Sequence, residues 1–385
     1  MSLLGNLLGV RMNLLIGPSP VALPAPAELL AAIQEIEIKL TDEGPSGFRL
    51  VAGVGRSGPE DFLMAPLLAH PQLQKGCRAI VTMIFDAIPY VIFDGIVTDI
   101  DTTPGSDARS GTITLFGRDL SVELDKEVKQ TQHPAMDETV IATLIAAQYP
   151  QFGMIPMALP PLFIDPPLPL DRVPQQNATD WDYLNQMAER HGYETYVDPG
   201  PVPGTNTLYW GPRVRPGLPQ RALSVNMGPG SDAYDVTTSE TDRGLTTVET
   251  TVIDRLTGQE MPVLALIGTT PPLGAVHENI YRAGSTAKRS IVTSGLNMGQ
   301  AMARAQAKLD RGSKRAFSVT GTLNSTRYNA ALKARDMVFL RGVGLTHDGL
   351  YKVSEVRHQI RPGSYDQGFV LTRSERGPMT PVVVP

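Results

Sequence analysis

The sequence has little cysteine, no excess of positive charge and no long uninterrupted apolar run. One of its 385 residues is a cysteine, Cys77, which excludes an internal disulfide and any zinc cluster built from cysteines. Its 34 basic residues are outnumbered by 39 acidic ones, so composition provides no polybasic stripe of the kind that dominates affinity for nucleic acids. We therefore do not expect sequence-specific nucleic-acid binding.

The apolar N-terminus, residues 1–29, does not have the features of a signal peptide or a membrane span. It lacks a positively charged start, and Arg11 interrupts the apolar run before the first prolines. The run also falls short of the roughly 18 to 20 residues that a spanning helix needs. We predict an arm that packs on the protein or on a neighbouring subunit, without stable membrane insertion.

Motifs for catalysis and cofactor binding are also missing. The stretch GVGRSG has dinucleotide-loop spacing, but Pro66 and Pro71 interrupt the helix that should follow it. The six histidines lack the pair spacing of a metal site, and no G-x-S-x-G nucleophile motif occurs. We expect no cofactor, no metal and no enzymatic activity, although two carboxylates distant in sequence would still allow a cell-wall hydrolase.

The patterns that are present indicate mostly β structure. The 36 glycines and 33 prolines favour short strands and turns, and IQEIEIKL alternates as a half-buried antiparallel strand does. Between residues 126 and 215 the pattern changes to two amphipathic helices, a proline-rich connector and two strands. Thr179 and Gly192 are expected to cap the second helix. The sequence thus predicts a mainly β protein with an α/β insertion.

One hairpin pattern occurs twice. Residues 90–120 and 347–377 each contain an Asp-Gly pair, an alternating strand, a Pro-Gly-Ser turn and a returning strand. The repetition arises either by chance in a β-rich chain or because the chain contains two related β-barrel-like units. In the second case, three chains in a ring would present six similar units and could join a six-fold object to a three-fold one.

The order of several loose motifs resembles that of a known family. The motifs are FDGIVTDID and GTITLFGRDLSVEL, then DWDYLNQMAERHGYETYVD and NTLYWG, then LSVNMGPGSDAYDV, and finally DGLYKVSEVRHQIRPGSYDQGFVLTR. In this order they resemble the late-control protein D or baseplate-hub family of contractile phage tails. They are also similar to the hub half of the type VI secretion spike proteins.

The resemblance implies a homotrimer whose two related units per chain form a pseudo-six-fold ring. One side of the ring would continue a hexameric inner tube, and the other would carry a trimeric spike. Because only GPMTPVVVP follows Arg376, we expect the spike to be a separate protein. Further baseplate components would be partners, and the protein would be made in the bacterial cytoplasm and assembled into a phage tail or an extracellular injection particle.

Two sets of residues are candidates for contacts with partners. The strands of the two hairpins are predicted to form the ring interface through Phe93, Gly95, Ile96, Thr98, Ile100, Gly349, Tyr351, Val353, Val356 and His358. The densest aromatic group would supply a partner-binding or sugar-binding face through Trp181, Tyr183, Tyr209 and Trp210. The alternative for the aromatic group is the core of the α/β insertion.

The expected domains follow from these patterns. They are an arm in 1–29, a first tube-like β domain in 30–125, the α/β insertion in 126–215, a β-rich domain facing the spike in 216–295, and a second tube-like β domain with a tail in 296–385. A tail hub is the expected function. A β-rich carbohydrate-binding or surface-binding protein stays open as an alternative, and so does the hydrolase.

Overall fold

The computed structural model describes residues 9–53, 70–103, 111–163, 173–241, 246–253, 258–266, 271–277, 287–313, 316–344 and 346–378. Parts of the predicted features lie outside these residues. They are the first eight residues of the arm, GVGRSG beyond Gly53, residues 164–172 of the proline-rich connector, and the end of the tail from 379.

The chain is built mainly from strands. Those of its first half are β1 Val10–Pro18, β2 Ile33–Thr41, β3 Gly47–Gly53, β4 Cys77–Phe85, β5 Ile88–Thr103, β6 Thr112–Asp119, β7 Val128–Gln132, β8 Met154–Ala158, β9 Gln175–Thr179, β10 Glu194–Pro199 and β11 Asn206–Gly211. Those of its second half are β12 Gln220–Ser224, β13 Ala233–Glu240, β14 Thr246–Ile253, β15 Glu260–Ala265, β16 Val276–His277, β17 Ala287–Arg289, β18 Phe317–Asn324, β19 Met337–Arg341, β20 Gly349–Arg361, β21 Ser364–Arg373 and β22 Glu375–Arg376.

In the described residues the helices are fewer than the strands and contain fewer residues in total. They are α1 Ala27–Ala32, α2 Ser121–Leu124, α3 Glu138–Ala147, α4 Asp180–His191, α5 Met298–Ser313 and α6 Ser325–Tyr328. The predicted fold class, mainly β with an α/β part, is confirmed. Within the described residues, no helix combines the length and apolar character that crossing a membrane requires.

Within the described residues, twelve strands form one large sheet. Ten of them follow the order β1-β4-β5-β6-β3-β2-β20-β21-β18-β13. The other two are β19, which also pairs with β20, and β12, which pairs with β19. The pairs are antiparallel except for β12 with β19. In the described part of the chain, the end strands β1 and β13 do not pair with each other, so the barrel-like units are halves of one open sheet. Apolar side chains from both halves share a single core.

The two halves of this sheet repeat one arrangement of five strands. In the first unit the chain order β2, β3, β4, β5, β6 has the spatial order β4-β5-β6-β3-β2. In the second unit the chain order β13, β18, β19, β20, β21 has the spatial order β19-β20-β21-β18-β13. Both β5 and β20 also carry a bulge against the next strand. A hairpin repeated by chance would not reproduce three further strands, so the hairpin belongs to a repeated unit.

The Asp-Gly pairs are not the equivalent points of the two units. The residue inserted at the β5 bulge is Thr98, three positions after Gly95, whereas the one inserted in β20 is Ser354, five positions after Gly349. Gly95 leaves no space for a side chain, since a Cβ there would lie 2.1 Å from the Arg118 carbonyl oxygen. Gly349 is instead required by its φ of +134°.

A separate α/β unit lies between the two sheet halves in sequence and has its own core. It comprises α2 to α4, the three-stranded sheet β10-β11-β8 and the pair β7 and β9. The predicted caps of α4 are confirmed. The Thr179 hydroxyl accepts a hydrogen bond from the Asp182 amide at 3.1 Å, and Gly192 ends the helix at a φ of +68°.

The chain is distributed differently from the expected domains at three places. Strand β1, within the expected arm 1–29, pairs with β4 in the large sheet. Strands β12 and β13, within 216–295, belong to the large sheet. Helix α5, within 296–385, packs instead on β14 and β15, where Leu309 and Ala305 meet Val248 and Val263 in a third core. An amphipathic helix buries its apolar stripe against the nearest uncovered apolar face, and here the β14 and β15 pair supplies that face.

Candidate assembly surfaces

Most of the predicted ring-interface residues are buried inside the chain. Thr98 and Ile100 are partly exposed, whereas the other eight are buried: Phe93, Gly95, Ile96, Gly349, Tyr351, Val353, Val356 and His358. Most of them are apolar positions of the hairpin strands, and apolar positions of a half-buried strand face the chain's own core. These eight residues therefore cannot form the surface that meets a neighbouring subunit.

The opposite face of the sheet is polar and crosses the junction between the two units. We call the pairing of β2 with β20 the unit junction. There the Lys39 ammonium lies 3.2 Å from Glu355, and the Arg357 guanidinium lies 3.2 Å from Glu37. A further ion pair joins Arg361 to Glu35 at 2.6 Å. Exposed pairs of this kind contribute little individually, but opposite charges across two strands favour one register.

His358 lies on the core side of the unit junction, opposite Ile38. Its Nδ1 is 2.9 Å from the Tyr365 hydroxyl. Burial lowers the pKa of His358 to about 3, so the imidazole is neutral near pH 7. Its role in the described structure is therefore that of a hydrogen-bonded core residue.

A buried lysine links the unit junction to the α/β unit. The Lys352 side chain of β20 is fully buried, with its Nζ 3.3 Å from Asp42 at the end of β2 and 2.5 Å from Glu194 on β10. Ser354 donates a hydrogen bond to the same Asp42 carboxylate at 3.1 Å. One cation thus connects a strand of each sheet half to the α/β unit.

A second buried network also connects both sheet halves to the α/β unit. Arg335, just before β19, pairs with Asp198 of β10 and donates to the Ser46 hydroxyl at 3.0 Å, between β2 and β3. Its guanidinium also stacks 4.3 Å above the Tyr196 ring. Burial raises the pKa of Asp119, an effect that Arg335 and hydrogen bonds from the neighbouring serines partly offset.

A third network joins the α/β unit to the first sheet half. Arg78 of β4 forms two hydrogen bonds with Asp94 of β5, at 2.8 and 2.7 Å. Asn206 at the start of β11 donates to the same carboxylate at 2.9 Å, and Arg78 reaches the carbonyl oxygen of Gly204 at 3.2 Å. The bidentate geometry fixes the orientation of the guanidinium and with it the start of β11.

The networks of Lys352 and Arg335 hold the α/β unit across the unit junction, and the network of Arg78 attaches it to the first sheet half. Buried ion pairs contribute less to stability than well-packed apolar residues would, but they demand one geometry because a misplaced buried charge is costly. The sequence did not reveal these residues, since a charged residue such as Lys352 in a strand ordinarily predicts an exposed position. The burial of Lys352 is visible only in the folded structure, where segments distant in sequence surround it.

The aromatic group lies mainly in the core of the α/β unit. Trp210 and Tyr209 are fully buried, Tyr183 is nearly so, and Trp181 is partly exposed. The Trp210 indole donates a hydrogen bond to the Leu184 carbonyl oxygen at 3.3 Å. The partner-binding prediction is wrong for the three buried residues. Tyr183 and Trp210 pack in the core of the α/β unit, and the Tyr209 ring stacks on the Tyr196 ring with centroids 4.8 Å apart.

Comparison with known proteins identifies the fold. No family model matches the sequence, and no curated protein matches it. The structure is similar to the 43 kDa tail protein of prophage MuSo2 from Shewanella oneidensis, with 14% identity over 95% of this chain and 99% of the other and a TM-score of 0.65. It is also similar to the tail protein of Neisseria meningitidis MC58, with 14% identity over 95% and 96% of the two chains and a TM-score of 0.62.

A type VI secretion protein shares the fold as well. The Escherichia coli c3393 protein, a component of that system with structural similarity to T4 bacteriophage tail proteins, is 10% identical over 92% of this chain and 77% of its own, with a TM-score of 0.52. The fold is thus that of phage tail proteins and of related secretion components. The resemblance predicted from the sequence is confirmed at the level of the fold.

Proposed function

We propose that the protein is a structural tail or baseplate hub. Three copies form a ring that adapts the six-fold inner tube to the three-fold spike of a contractile tail or a phage-like injection system. The observation that carries the proposal is the repeated five-stranded unit within one continuous sheet. A chain that contains two similar units can match two neighbouring subunits of a hexameric tube while the whole ring keeps three-fold symmetry.

The rigid relation between the two units supports this role. A subunit that imitates two tube subunits must present them at a constant angle and distance. The unit junction supplies backbone pairing between β2 and β20, and the networks of Lys352 and Arg335 connect both sheet halves to the α/β unit. The same elements give the protein a mechanical role that requires no chemistry.

The polar sheet face suits the wall of a passage. Along the unit junction it presents charges of both signs, which form ion pairs such as Lys39 with Glu355 and Arg357 with Glu37. A surface with interspersed charges neither attracts nor repels a polyion as strongly as a surface of one sign. The spike, a separate protein in this proposal, would bind the side formed by the α/β unit and the β14 to β17 region.

The carbohydrate-binding alternative is less well supported. It depended on the aromatic group, and Tyr183, Tyr209 and Trp210 are buried. Among the four candidate aromatics Trp181 alone is partly exposed, and a single partly exposed ring makes a poor stacking platform. For the hydrolase, no observation favours a particular pair of carboxylates.

Native mass measurement tests the proposal. The purified chain is measured alone, with its tube protein, and with its spike protein. We expect a species of three times the 41.6 kDa chain mass, either alone or after addition of the spike, and its incorporation at the end of tubes. A chain that stays monomeric with both partners would refute the hub function, and specific glycan binding by that monomer would favour the alternative.

A further inference from the structure

The strand edges equivalent to those of the unit junction are left unpaired in a single chain. Strand β20 pairs with β19 through residues 349–352 and, along the same edge, with β2 through residues 355–360. Strand β5 is its equivalent in the first unit, and it pairs with β4 through residues 88–96. Within the described chain, no strand continues along that edge beside residues 98–103 of β5.

The matching strand is also open, at the far end of the sheet. Strand β2 pairs with β3 on one edge and with β20 on the other. Its equivalent in the second unit is β13, which pairs with β18 on one edge and is the last strand of the sheet. Among the residues described, no strand therefore covers the outer edge of residues 237–239 in β13.

The hydrogen-bond register identifies the equivalent residues. The first residues after the bulges are Asp99 in β5 and Glu355 in β20. In the first unit the register partners on successive strands are Asp99 with Phe116, Phe116 with Arg49, and Arg49 with Glu37. In the second unit the corresponding partners are Glu355 with Val370, Val370 with Thr320, and Thr320 with Thr237. Residues 237–239 are thus equivalent to 37–39, and residues 101–103 to 357–359.

From this equivalence we infer an intermolecular strand pairing that deepens the proposed hub function and depends on it. Strand β13 of one chain adds to the open edge of β5 in the next copy, antiparallel, just as β2 adds to β20 within the chain. In the unit junction Glu37 lies opposite Gln359 and Lys39 opposite Arg357. The equivalent intermolecular pairs are Thr237 with Thr103, Thr238 with Thr102, and Ser239 with Asp101.

The composition of the two edges fits a second copy of this chain. The residues that would meet are threonines, a serine and an aspartate, so each edge is compatible with water before assembly and too short and polar to aggregate readily. The contact is heterologous, since β13 of one copy meets β5 of the next. Repeated around a three-fold axis, such a contact closes into a ring with one continuous sheet wall.

Cysteine crosslinking tests the inferred pairing. One chain carries Ser239→Cys and a second carries Asp101→Cys, and they are mixed under mild oxidation. A second pair, Thr238→Cys with Thr102→Cys, is tested because directly opposed residues alternate between hydrogen-bonded and non-hydrogen-bonded positions, which present their side chains differently, and a disulfide requires a specific geometry. The native Cys77 is buried, and the wild-type chain controls for it.

We expect a covalent dimer from mixed single variants and a covalent trimer when one chain carries both cysteines of a pair. The matched control combines Ser239→Cys with Thr114→Cys. Thr114 lies opposite Asp101 on β6, one strand farther away by about 4.8 Å, and should not crosslink. A native trimer that gives no crosslink with either pair, or one that crosslinks equally to Thr114, would overturn the pairing and leave the hub function standing. A chain monomeric under all conditions would overturn both.

Discussion

Replacing Lys352 by methionine tests whether buried charges hold the α/β unit on the unit junction. The lysine is fully buried between Asp42 and Glu194, at 3.3 and 2.5 Å. Its removal leaves two carboxylates without this cation in a place where Asp42 has no exposure and Glu194 little. Breaking a buried pair by removing one partner costs about 3–5 kcal/mol, a large share of the roughly 5–15 kcal/mol that stabilises a typical domain.

The two tryptophans make the measurement specific to the α/β unit. The chain contains only Trp181 and Trp210, which lie on α4 and β11 of that unit. Urea unfolding followed by tryptophan fluorescence therefore reports the unfolding of the unit that the lysine anchors. For Lys352→Met we expect a lower urea midpoint, equivalent to about 3–5 kcal/mol, and partial recovery when Asp42→Asn is added.

Lys39→Met is the matched control for this substitution. Its ammonium also pairs with a carboxylate, Glu355 at 3.2 Å, but half of the lysine side chain is exposed, at 49%. Exposed pairs contribute at most about 1 kcal/mol, so this variant should unfold close to wild type. If both variants lost the same small amount, the buried network would not anchor the α/β unit and the reasoning above would be refuted.

Three further outcomes follow from single positions. Because burial lowers the pKa of His358 to about 3, the unfolded chain binds a proton that the folded chain excludes between about pH 3 and 6.5. The free energy of unfolding should therefore fall by about 2 kcal/mol towards pH 5, and His358→Gln should remove this component in urea titrations. Gly95→Ala should cost roughly 3 kcal/mol, because its Cβ would overlap the Arg118 carbonyl oxygen, whereas Gly217→Ala, with nothing within 4 Å, should be neutral in thermal unfolding. Trp210→Ala should cost about 3–5 kcal/mol, measured by circular dichroism, and a loss below 1 kcal/mol would contradict its place in the core.

Local patterns predicted the local structure well. Alternation in β2 identified Ile36 and Ile38 as one face, and both are fully buried. Thr179 and Gly192 cap α4 as expected. These features depend on residues close in sequence, where period, capping and turn chemistry act directly.

Long-range features could not be predicted from the same patterns. The pairing of β2 with β20 joins residues more than 300 positions apart, and no local signal encodes it. The ring-interface prediction failed for a related reason. The apolar character of Val353 and Tyr351 predicts that they are buried, but it does not distinguish burial in the chain's own core from burial against a neighbouring subunit.

The unit junction and the inferred contact between chains should differ in strength, and the difference has a functional consequence. Within the chain, backbone pairing is reinforced by ion pairs such as Lys39 with Glu355 and by the buried network of Lys352. Between chains, the equivalent positions offer hydroxyl groups and Asp101. Two units of one chain would therefore stay together at any concentration, whereas the ring would form in a concentration-dependent way. A partner that binds three copies at once, as the proposed spike does, would raise their effective concentration and determine where the ring assembles.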